Sequence, residues 1–157
     1  MITRRNFITG LPILTLAGVP AWAQDKRPDP LSIDKVVKEF VRLGHGDLAG
    51  TKQMLEETPA VLHATYDWGN GDFETALGGA SHMGRKDIAE YLVGKGARMD
   101  VFTAAMMNKI DIVKAIFAAF PDTHLCKGPH GITLLMHAQK GEAGEVLEFL
   151  KLRNITQ

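Results

Sequence analysis

The chain has 157 residues, 45% hydrophobic and 23% charged, with a formal net charge of zero. That is the composition of a folded chain rather than a disordered one, and it excludes the strongly basic surface that gathers nucleic acid. A single cysteine, Cys126, excludes an internal disulfide framework.

In chain order, the first 23 residues read as an address rather than as part of the fold. Paired arginines, Arg4 and Arg5, stand two places before Phe7, and a mild apolar run follows from Ile8 to Val19. At about 12 residues that run is too short to span a bilayer, which needs ~20. Ala21-Trp22-Ala23 has the A-x-A form of a cleavage site. The segment resembles a twin-arginine export signal. The resemblance implies passage through the Tat translocon, cleavage after Ala23, a periplasmic location and no membrane attachment afterwards. Removing Arg4 and Arg5 leaves a net charge of −2, so electrostatics alone selects no partner. A linker is expected over 24–31 and one repeat domain over 32–157.

Short amphipathic helices then recur. Asp87-Ile88-Ala89-Glu90-Tyr91-Leu92 has the form repeated in Asp111-Ile112-Val113-Lys114-Ala115-Ile116-Phe117 and in Glu145-Val146-Leu147-Glu148-Phe149-Leu150. Gly46-Asp47-Leu48 leads into a weaker version, Lys52-Gln53-Met54-Leu55. Each follows a shorter helix rich in small residues, as at Ala80-Ser81 and Ala104-Ala105. One such pair cannot bury its apolar face alone, but three or more stacked pairs can.

This pattern resembles the ankyrin repeat. Thr75, Leu77, Ala80, Gly84, Ile88, Leu92, Gly96 and Ala97 fall on that family's positions, and so do Gly131, Thr133, Leu135, Ala138, Val146 and Leu150. The resemblance implies an all-α helix-turn-helix stack of about four units, near 32–65, 66–100, 101–124 and 125–157. The threonines would cap helices, and a glycine after the second helix would end it with positive φ. Two departures stand out. The family's T-P-L-H turn is Thr75-Ala76-Leu77-Gly78 here and Thr133-Leu134-Leu135-Met136 later. The spacing is also uneven, with Gly84 matched by Asn108 only 24 residues on, against ~33 in regular arrays. Asp100 therefore runs straight into the next helix without a hairpin finger, and the length returns as a loop from Pro121 to Gly131.

The resemblance implies binding of another protein on the concave side, by loop fingers and first helices. The finger is Tyr66-Asp67-Trp68-Gly69-Asn70-Gly71-Asp72-Phe73, with Asn70-Gly71 a strong turn signal. Its aromatics suit an interface, where such anchors dominate the binding energy. On the first helices the concave positions are Val41, Gly44 and His45; Gly79, His82 and Met83; Thr103, Met106 and Met107; and His137 and Lys140. The turn at His130 adds to them. Methionines adapt to varied partners. The contact set is thus Tyr66, Asp67, Trp68, Asn70, Asp72, Phe73, His82, Met83, Met106, Met107, His130, His137 and Lys140.

No H-E-x-x-H, C-x-x-C, G-x-S-x-G or phosphate-loop pattern occurs, and no carboxylates pair for acid–base work. The sequence points to no catalytic residue, no resident metal and no cofactor, and to a binding protein rather than an enzyme. Two alternatives remain. His124, Cys126, His130 and His137 could gather as a metal or ligand site, and His82 with Met106 could suit copper. An inhibitor of an exported toxin is the other.

Overall fold

The structure is a computed structural model that describes residues 29–156. The arginine pair, the apolar run and the Ala23 cleavage pattern lie outside the described residues. In the unit that begins at Leu31, the described residues form eight α-helices and one two-stranded hairpin. The fold is thus mostly helical, as the periodicity requires.

The helices come in pairs. A π turn at Ile33–Val37 opens α1 (Lys38–Gly44), which pairs with α2 (Leu48–Glu57). The hairpin β1 (Thr65–Asp67) and β2 (Phe73–Thr75) leads into α3 (Ala76–His82) and α4 (Lys86–Gly94). Next come α5 (Val101–Met106) with α6 (Ile110–Ala119), then α7 (Leu134–Lys140) with α8 (Gly144–Lys151). The first helices pack in order, α1 on α3, α3 on α5 and α5 on α7, and α7 also reaches α3. Among the second helices, α2 packs on α4 and α6 on α8.

Local chemistry sets the boundaries. Thr75 Oγ1 accepts from the Gly78 N–H at 3.0 Å and Asp100 from the Thr103 N–H at 2.7 Å. Thr133 does the same for Met136 at 3.3 Å. Each satisfies a backbone donor that the helix start leaves unpaired. At the other end of α4, Gly96 takes φ 94° and the Ala97 N–H returns to the Leu92 carbonyl, which closes the helix. Gly84 and Asn108, matched across the short spacing, both have positive φ, at 71° and 55°. Asn108 also links units: its side-chain oxygen accepts from the N–H groups of Glu145 and Val146 at the start of α8.

Small residues let the first helices approach. Ala80, Ala104, Ala105 and Ala138 are fully buried, and the Ser81 hydroxyl meets the Thr103 hydroxyl at 2.8 Å between α3 and α5. The core divides into two clusters. One centres on Phe40, Ile88, Leu92 and Met106, the other on Val113, Leu134, Val146 and Leu150. Gly141, at the end of α7, lies so close to the Met106 carbonyl that a methyl group would collide with backbone.

Replacing Gly141 by alanine should therefore cost on the order of 2 kcal/mol, because the obstacle is main chain that cannot turn aside. Gly94→Ala, with nothing near its added carbon, should be neutral or stabilising by up to ~1 kcal/mol. Urea denaturation of both variants checks the contrast. Equal effects would mean that the α5–α7 approach is looser than described.

Candidate functional site

The sequence from Tyr66 to Phe73 makes the finger that its turn residues demand. Asn70 and Gly71 have φ of 55° and 81°, and Asp67 Oδ1 accepts from the N–H groups of Gly69 and Gly71. The strands pair Tyr66 with Glu74 and Asp67 with Phe73. Alternation along β2 then separates its side chains. Phe73 is 60% exposed, and Glu74 is 1% exposed.

Glu74 is the centre of the site. Its carboxylate accepts from Trp68 Nε1–H at 2.7 Å. His82, at the end of α3, places Nε2 at 2.8 Å from Oε1. His45, which caps α1, places Nε2 at 3.3 Å from Oε2. His130, on the loop before α7, places Nε2 at 3.5 Å from Oε2. The ligand atoms of these four residues all lie within 4.8 Å of one another. Burial alone would push the Glu74 carboxyl up, but bonds from His45, His82 and Trp68 overcome it and hold the group down at about 2. The bond to Glu74 raises His45, against a smaller opposing effect of burial.

The outer ring nitrogens are also fixed. His45 Nδ1 lies 2.9 Å from the Val41 carbonyl, which can only accept, so that nitrogen carries a proton. His130 Nδ1 donates to Asp72 Oδ2 at 2.6 Å, and its backbone N–H donates to Asp72 Oδ1 at 2.8 Å. Those backbone and ring bonds draw Asp72 below the usual carboxylate range.

The short junction before α5 leaves room for His130 to reach this place. Between Asp100 and α5 no hairpin intervenes. The loop of the fourth unit takes that space: Gly128 comes up to Phe102, and Pro129 comes up to Gly78 on α3. His130, with φ 58°, then meets the finger of the second unit.

Several expected contact residues lie elsewhere. Met106 is fully buried in the first core cluster, so it offers no contact surface and makes no copper pair with His82. His137 is fully buried, with Nδ1 on the Thr133 carbonyl and its ring beside Phe102, and burial lowers its pKa. His82 is 8% exposed and turned toward Glu74. Val41, Gly44 and Thr103 are buried, and the His45 ring covers Gly79. The reason is shared: the first helices pack too closely to leave an outer face at these points. Met107 and Tyr66 are half-buried, whereas Asp67, Trp68, Asn70, Phe73, Met83 and Lys140 are exposed. His124 and Cys126 line a different depression, with Arg153 and Thr156, and do not join His130 and His137. Glu74 and the role of His45 were missed. The available signal was a carboxylate one place before a capping threonine, on the strand face opposite Phe73.

Comparison of the chain with protein-family models, curated proteins and solved structures gives no match.

Glu74→Ala should destabilise the metal-free protein by about 2–4 kcal/mol, because it strands the Trp68 N–H and the histidines it faces. Urea denaturation with chelator present measures this. A loss of less than about 0.5 kcal/mol, as at ordinary surface positions, would show that the carboxylate is not held by these donors.

Proposed function

We propose that this chain is an exported, periplasmic ankyrin-type protein that binds another protein on the side bearing its finger. It acts as a scaffold or stabiliser, not as an enzyme. The four helix pairs and the ankyrin-like residues within them support the repeat assignment. No helix among the described residues is long and apolar enough to cross a membrane, which fits release after cleavage.

The observation that carries the binding reading is the finger. Phe73 is 60% exposed and Trp68 37% exposed on a hairpin whose own bonds hold it in shape. The Trp68 indole is further fixed by Glu74 and by the Tyr66 ring, 4.8 Å away and edge-on. An aromatic pair presented on a pre-set turn loses little freedom when it is covered, which favours binding. The surface is narrower than the expected concave face, since Met106, His82 and His137 are withdrawn into the stack.

The test is capture from a periplasmic extract with the full chain, compared with Phe73→Ser. One protein recovered in stoichiometric amount, and reduced at least about 5-fold by the substitution, is the expected result, since truncating an anchor costs over 1 kcal/mol. Stability of the variant should stay within ~0.5 kcal/mol of wild type, because Phe73 supports no core. Capture that is indifferent to Phe73 and Trp68 would overturn the reading. Mass spectrometry of the secreted chain should show an N-terminus at Gln24.

A further inference from the structure

We propose that His45, Glu74, His82 and His130 form a binding site for a zinc-class divalent transition-metal ion. This goes beyond the protein-binding reading and does not depend on it. It also departs from the sequence-based expectation of no resident metal.

Three imidazoles and one carboxylate are ligands suited to zinc and its neighbours, and unsuited to calcium or magnesium, which require a cage of oxygens. The ligands come from separate parts of the stack: the end of α1, the finger, the end of α3 and the loop before α7. Such a set is not an accident of one helix face.

Four donors at about 2.0–2.1 Å from a tetrahedral zinc are about 3.3–3.4 Å from one another. His45 Nε2 is 3.2 Å from His82 Nε2 and 3.3 Å from Glu74 Oε2. His130 Nε2 is 3.5 Å from that same oxygen. His82 Nε2 lies 2.8 Å from the other carboxylate oxygen, Oε1, and all four ligand atoms lie within 4.8 Å of one another, so small side-chain shifts bring them to one ion.

Two nitrogens 3.2 Å apart cannot both point a proton at each other. A cation removes the conflict, because each Nε2 then offers a lone pair to one centre and the displaced protons leave to solvent. The outer shell is already arranged for this. His45 Nδ1–H is anchored on the Val41 carbonyl and His130 Nδ1–H on Asp72, both of which leave Nε2 as the inward atom. A carboxylate or carbonyl behind a ligating histidine is the usual support of such sites. Trp68 Nε1–H donates to Glu74 Oε2, the oxygen nearest His45 and His130, and so fixes the orientation of the carboxylate. Side-chain exposure of 26% at His45 and 34% at His130 gives the ion a route in.

The experiment uses the full chain, stripped with chelator and then titrated with zinc chloride by calorimetry, with metal content measured after dialysis. One zinc per chain is expected, with loss of at least 100-fold in affinity in His130→Ala, which lies on a surface loop and should fold. Asp72→Asn, which touches no metal, should cost 10–100-fold by weakening the His130 anchor. His124→Ala and Cys126→Ser should leave affinity unchanged. Absence of stoichiometric zinc, or binding that survives His130→Ala and Glu74→Gln while failing in the His124 and Cys126 variants, would overturn the assignment.

Discussion

A carboxylate removed from water must be met by donors, or it will take up a proton. Glu74 is met from three directions, and this requirement organises the molecule around the finger. Trp68 answers from the same hairpin, His82 from the end of α3, and His45 from the end of α1. The first two helix pairs therefore share a polar centre as well as an apolar wall. The finger is consequently a fixed part of the stack, although its tip is exposed.

The fourth helix pair joins the same centre through an irregularity. A regular array would place a second finger between Asp100 and α5. Its absence lets the 121–131 segment fold back over Phe102 and Gly78, and His130 then pairs with Asp72. Distant parts of the sequence are thus held at one point. This gives the stack closure that a regular solenoid lacks, because such arrays contact only their neighbours. It also connects the two proposals. Phe73 at the finger faces outward, while the Glu74 carboxylate on the opposite strand face turns inward to the imidazoles.

The helix pairs were legible because their signals are local. Apolar periodicity, the capping threonines Thr75 and Thr133, and the glycine at position 96 all act within one or two turns. Asn70-Gly71 announced the hairpin for the same reason. The site was far less legible. His45, Glu74, His82 and His130 are scattered over 86 positions, counted inclusively from the sequence numbering, and no short spacing ties them together. Their meeting depends on how tightly the first helices pack, which alanine and glycine content suggests only in outline. The same tight packing misled the reading of Met106 and His137: treated as outward positions of a stack, they are enclosed because α5 and α7 approach so closely.

The convergence on Glu74 can be read directly from its carboxyl carbon by ¹³C NMR in metal-free protein. A carboxylate held by Trp68, His82 and His45 stays ionised, with no change in its shift between about pH 6 and 3.5 while the backbone spectrum remains folded. A titration centred near the ordinary glutamate value, about 4.3, would mean that the carboxylate is in water and that the imidazoles do not meet around it.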